Sequence, residues 1–177
     1  MRWLKAGTGG GIGEDLSVMR RYARSLARDD QDADDVVQDA LVRAIEGQET
    51  FQPARGRRQW LLAIVHNVFI SGKRREAAEA RRNARFAETM VAHLGADQEH
   101  RARLTQLAQA LAAMPHHHRS VLHLVAVEGL TYQEAAEVLD VPVGTVMSRL
   151  ARARAALRAQ QDGSGEQKLR VVGGQDD

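Results

Sequence analysis

The chain contains no cysteine. Disulfides and thiolate-ligated zinc are therefore excluded, and a reducing, cytoplasmic setting is the expectation. Aromatic residues make up only 4% of the 177 residues, against 44% hydrophobic residues rich in alanine and leucine. With so little β-branched alternation, helices are favoured over sheet. No apolar run reaches the ~18 residues of a membrane span, so membrane insertion is not expected. The first residues, MRWLKAGTGGGIGED, hold too short an apolar stretch for a signal peptide, and their glycines suggest a mobile arm. Neither a glycine-rich phosphate loop nor a catalytic constellation is present, so the chain is not expected to be an enzyme or to carry a cofactor.

What is present is charge, sorted along the chain. The formal net charge is only +2. Between Asp29 and Glu49, however, eight acids face one base, Arg43. Between Arg55 and Arg85 nine bases face two acids, Glu76 and Glu79. Solvated helix surfaces often carry charge runs, but sorting this strong favours two different partners, one of them nucleic acid.

The periodicities predict an all-α fold. Residues 1–13 form the arm. Within 14–76, a helix from Asp15 to Ala27 buries Leu16, Met19, Tyr22, Ala23 and Leu26. Asp29-Asp30-Gln31-Asp32 is a cap cluster. The helix after it, Ala33 to Ile45, points Val36, Val37, Ala40, Leu41, Ala44 and Ile45 inward, with Gly47 as its stop. After the loop Phe51–Arg58, a third helix from about Gln59 to Glu76 carries Trp60, Leu61, Ile64, Val65, Val68 and Phe69. Residues 77–103 hold few large apolar groups and are expected to be a flexible linker. A second small helical domain spans 104–159, and the polar, glycine-bearing tail 160–177 is expected to be disordered.

The stretch Gly129–Arg158, GLTYQEAAEVLDVPVGTVMSRLARARAALR, has the pattern of a helix-turn-helix. Thr131 and Glu134 have capping-box spacing. Asp140-Val141-Pro142 breaks the first helix, and Pro142 suits the first turn of the next. There Val146, Leu150, Ala153 and Leu157 form one apolar stripe. Ser148 and Arg152 lie opposite it, with Thr145 and Arg149 on the flank, free to meet a major groove. Arg154 is expected nearer the core edge, where it contacts phosphate or braces the domain, and Gly144 permits close backbone approach or eases the turn. Arg149 to Arg158 holds four arginines and no acid.

These segments, in this order, resemble an extracytoplasmic-function sigma factor, from the minimal two-domain group of the bacterial sigma-70 family. DADDVVQDALVRA (Asp32–Ala44) resembles the family's core-polymerase-binding segment. RQWLLAIVHNVFISGKRR (Arg58–Arg75) resembles the tryptophan-containing segment that handles the −10 element. ALAAMPHHHRSVLHLVAVEGLTYQEAAEVLDVPVGTVMSRLARARAALR resembles the −35-reading domain. Met147 departs from the pattern, which often has a basic residue after Gly-Thr-Val. His116, His117 and His118 replace more mixed residues.

The resemblance implies partners and sites. Asp34, Asp35, Gln38 and Asp39, on the polar side of their helix, would pair with the clamp coiled coil of the polymerase β′ subunit; the β flap is a further implied contact. Asp29, Asp30 and Asp32 are explained by capping. Phe51, Gln52 and Pro53 would form the −10 base pocket, with Asn67 on the adjoining helix. Arg55, Arg57, Arg58, Lys73, Arg74 and Arg75 would attract phosphates, which gives affinity without sequence information. Trp60 is expected to be mainly core, whereas Phe51 serves the loop or the pocket equally well. Gly144, Thr145, Ser148, Arg149, Arg152 and Arg154 would meet the −35 element, arginine being the best reader of guanine. An anti-sigma protein is a further expected partner. A metal at His116–His118 is disfavoured, because adjacent helical residues point apart. The competing reading is a dimeric helix-turn-helix regulator that binds a symmetric operator without polymerase.

Overall fold

The computed structural model describes residues 11–27, 29–82 and 107–165, and among these the regular structure is entirely helical. The arm through residue 10, most of the expected linker (83–103) and the tail beyond 165 lie outside the described residues.

Helix α1 spans Ile12–Leu26, α2 Asp30–Glu46 and α3 Arg57–Arg82. All three pack against one another. Helix α2 starts where Asp29 accepts the Asp32 N–H at 2.8 Å, and it closes at Gly47, whose N–H reaches the Arg43 carbonyl at 2.8 Å. Its buried stripe is Ala33, Val37, Ala40 and Ala44, mostly small side chains that let its neighbours approach. Ala40 is fully buried, so Ala40→Leu would overpack this crossing by about 1–3 kcal/mol. Ile45 was expected in this stripe but is 43% exposed, and Val42 beside it is 53% exposed. One step of ~100° beyond Ala44 carries Ile45 off so narrow a contact.

Two 3-10 turns, Gln48–Thr50 and Pro53–Arg55, lead into α3. Gly56, at φ +76°, makes the reversal, a left-handed φ that glycine adopts without steric cost. Helix α3 runs to Arg82 rather than stopping near Glu76. EAAEARR is strongly helix-forming, and that propensity carries the helix into residues expected to be linker.

In the second half α4 covers residues 107–113 and α5 covers His116–Leu122. A π turn over His123–Val127 interrupts the run expected to be one helix, and the Glu128 N–H reaches back to the His123 carbonyl at 3.0 Å. Helices α6, Tyr132–Leu139, and α7, Val143–Gly165, form the helix-turn-helix. Asp140 caps α6 in the left-handed region at φ 51°. Pro142 stands just before α7 rather than in its first turn; its carbonyl takes the Thr145 and Val146 N–H groups at 2.9 and 3.3 Å. Helix α7 continues through residues 160–165, which were expected to belong to a disordered tail.

The two halves are in contact. Helix α1 packs on α5 and the π turn, and α3 packs on α6. Their buried apolar residues join in one cluster, from Met19, Leu26, Leu61 and Val65 to Val121, Leu124, Ala136 and Leu150.

Candidate nucleic-acid and partner interfaces

Helix α2 turns Asp34, Asp35, Gln38 and Asp39 to solvent. Val42 follows Gln38 at i+4 and Asp39 at i+3, and Ile45 follows Val42 at i+3, so the acidic row runs into an exposed apolar end. Carboxylates held on a rigid helix beside such a patch suit a basic partner surface with an apolar centre.

At the loop before α3, the Phe51 and Trp60 rings lie 5.3 Å apart at 59°, and Trp60 Nε1 donates to Thr50 Oγ1 at 3.2 Å. Trp60 is half-buried; it braces the loop from below rather than sitting in the deep core as expected. Gln52 is exposed beside it. On α3, Asn67, Arg74 and Arg75 face solvent. Lys73 Nζ lies 2.6 Å from Glu76 and 5.8 Å from the Phe69 ring centroid. Arg57, expected to attract phosphate, is instead buried, with its Nε donating to Asp15 Oδ1 at 3.2 Å. Burial pushes the Asp15 carboxyl up, and Arg57 opposes that rise. Arg57 is thus held inside the first domain by Asp15 rather than turned to solvent.

On α7, Val146, Leu150 and Ala153 are buried, while Gly144, Ser148, Arg152 and Arg154 are exposed and Thr145 and Arg149 half-buried. Arg154 therefore stands clear of the core edge where it was expected. A side chain at Gly144 would meet nothing within 4 Å, which leaves the backbone at the helix start open to approach. Ser148 Oγ donates to the Thr145 carbonyl at 3.0 Å. Met147, which precedes Ser148, is 53% exposed.

The histidine run lines the seam between the halves. His116 packs against Phe69 with centroids 5.8 Å apart, and the His117 and His118 rings are 4.3 Å apart. Burial lowers the pKa of all three, and the nearby Arg149 adds to this. Among the described residues no group of three or more His, Cys, Asp or Glu is arranged to hold a metal ion.

The residue sequence reasoning missed is Glu128. Its side chain is wholly buried at the end of the π turn. It accepts from Arg21 Nε at 2.7 Å and Arg21 Nη2 at 3.0 Å. Arg58 donates to it through both Nε, at 3.1 Å, and Nη2. His123 Nε2 lies 3.0 Å from its other oxygen. Burial would raise this carboxyl, but the hydrogen bonds and charges of Arg21 and Arg58 hold it down at about 2. Nearby, Gln59 Nε2 donates to Glu137 at 3.0 Å, and Arg55 Nε lies 3.8 Å from it. Arg119 Nη2 donates to the Leu26 carbonyl at 3.0 Å.

The chain matches two family models: the one described as Sigma-70 region 2 over residues 13–79, and the one described as Sigma-70, region 4 over residues 104–157. It is 35% identical over 144 residues to the ECF RNA polymerase sigma factor EcfG of Rhodopseudomonas palustris, covering 80% of this chain and 77% of that one. Its fold is similar to the sigma factor RpoE of Bartonella quintana, solved with the anti-sigma factor NepR. That match has TM-score 0.71 and 27% identity, and covers 85% of this chain and 94% of RpoE. It is also similar to CnrH, solved with the cytosolic domain of CnrY, at TM-score 0.60 and 32% identity over 86% of this chain and 85% of CnrH.

Proposed function

This chain belongs to the extracytoplasmic-function sigma factors of the sigma-70 family, and we propose from that premise how its surfaces divide the work of promoter selection. It directs core RNA polymerase to promoters. Polymerisation is the chemistry of the core enzyme, so the chain contributes recognition and not catalysis. No helix among the described residues is long and apolar enough to cross a membrane, in keeping with work at the chromosome in the cytoplasm.

Asp34, Asp35, Gln38 and Asp39, continued by Val42 and Ile45, dock on the β′ clamp, and the second domain meets the β flap. Phe51 and Gln52 receive an unstacked −10 base, a step that costs a few kcal/mol and so needs a prepared pocket. Arg58, Asn67, Lys73, Arg74 and Arg75 hold the strand around it. The exposed face of α7, with Gly144, Thr145, Ser148, Arg149, Arg152 and Arg154, enters the −35 major groove. RpoE and CnrH were each solved with a protein partner, RpoE's being an anti-sigma factor; an anti-sigma factor that covers these surfaces is the matching partner here.

The observation that carries this reading is the order of two matched regions, each presenting its own charged face. A dimeric regulator gives no reason for the first region's match. The test is selection from random DNA, by the chain alone and by the chain with core polymerase. The sigma reading expects one asymmetric site with two elements, selected only with polymerase. A palindrome selected by the chain alone would overturn it.

A further inference from the structure

Among the described residues, Met147 is the one large apolar side chain that α7 leaves in solvent. The stripe of that helix, Val146, Leu150 and Ala153, is buried. Met147 comes four residues after Val143, where α7 starts, in the N-terminal part that a recognition helix turns to base edges. A helical step of ~100° sets it round from Ser148, so the two serve different sides of the exposed surface. Ser148 and Arg152, at i and i+4, make a polar side. Met147 and Ala151, also at i and i+4, make an apolar one, and both are exposed. Gly144, three residues before Met147, has no side chain, and a Cβ there would meet nothing within 4 Å. Long helical side chains lean toward the N-terminus, so Gly144 leaves Met147 room to come down on a base edge.

Chemistry narrows what such a side chain can read. A thioether offers dispersion and a weak acceptor, and no donor for guanine. In the major groove of unmodified DNA, thymine alone presents an apolar group, its 5-methyl. Cytosine is read by a carboxylate that accepts from its N4 group, and α7 has no carboxylate from Val143 to Arg158. Ser148 Oγ already donates to the Thr145 carbonyl at 3.0 Å. The arginines of α7 answer guanine, which leaves thymine as the base that Met147 suits.

We propose that Met147 is a specificity-determining residue: its thioether end packs on the 5-methyl group of one thymine in the −35 element. At this position the chain reads a methyl group by contact instead of a base edge by hydrogen bonding. The proposal rests on the sigma-factor reading for the placement of α7 in the groove.

The test uses the full chain with core polymerase and a promoter that this pair selects from random DNA. Each thymine of the −35 element, on either strand, is replaced singly by uracil, which keeps the base pair and the O4 acceptor and removes only the methyl group. Competition binding should show one position where uracil weakens the complex roughly fourfold, the worth of one buried methyl group. Met147→Ala should bind the thymine and uracil forms of that position equally, and Met147→Leu should still prefer thymine. Met147 is exposed and alanine is the better helix former, so Met147→Ala should melt like the wild type. No methyl-sensitive position with the wild type, or a sensitivity that survives Met147→Ala, would overturn the proposal. The sigma reading is scored separately: it fails if polymerase and chain select no two-element promoter, whereas a selected promoter without methyl sensitivity removes only the role of Met147.

Discussion

Tyr22 and His66 share a buried hydrogen bond, hydroxyl to Nδ1 at 3.1 Å, in the middle of the seam between the two domains. The Tyr22 ring also lies 5.3 Å from that of His123 in the second domain. Burial lowers the His66 pKa from 6.5 to about 4, helped by the nearby positive charges of His116 and Arg149.

This makes the packed form acid-sensitive well above carboxylate pH. With a folded pKa below the unfolded one, His66 binds its proton mainly in the unfolded chain. The stability it permits is complete above pH 6.5 and declines as the pH falls toward 4, by up to about 3 kcal/mol. The histidines at 116, 117, 118 and 123 are shifted the same way. Glu128 acts later: its contribution is present above about 4.5 and is lost as the pH falls through about 2. Thermal unfolding should therefore show a lower midpoint at pH 5 than at pH 7.5. A midpoint flat across that range would refute the burial of neutral histidines.

Reversing the acidic row should separate docking from folding. Asp35→Arg with Asp39→Arg changes two exposed side chains, so melting should be nearly unchanged. Affinity for core polymerase should fall tenfold or more, through loss and then reversal of complementary charge, ~1.4 kcal/mol or more in total. Equal affinity for wild type and double variant, in a competition assay, would remove this surface from the interface.

Arg152→Ala addresses the other end. A lost bidentate base contact costs ~1–3 kcal/mol of discrimination, or about five- to a hundredfold in promoter-specific transcription. Core binding should not change. If core binding fell instead, the roles of the two domains would be wrongly divided.

Thr131 and Glu134 cap α6 reciprocally: the Glu134 N–H reaches Thr131 Oγ1 at 3.2 Å, and the Thr131 N–H reaches the Glu134 carboxylate at 2.8 Å. Thr131→Ala should cost about 1 kcal/mol in urea unfolding. No measurable change would mean that the cap adds nothing to a helix already fixed by packing.

That cap was readable in the sequence because its two groups are three residues apart. The same holds for Asp29 at the start of α2 and for the Val146, Leu150, Ala153 stripe on α7. What could not be read were partnerships across long stretches of chain. Arg57 looks like one more basic residue until it is found paired with Asp15, 42 positions earlier. Glu128 follows an apolar run and ends a helix, and nothing local says that two arginines of another domain will close on it. Ile45 followed a sound periodicity, but which neighbours a helix meets decides how wide its buried stripe must be. The DNA and polymerase surfaces came from a resemblance of motifs in order, and no single residue among them would have announced its partner.

The most direct measurement is transcription from sheared genomic DNA by core RNA polymerase, with and without this chain, followed by sequencing of RNA 5′ ends. The account predicts new start sites that share two upstream elements at a fixed spacing. No new starts, in a reaction where a known sigma factor produces its own, would contradict it.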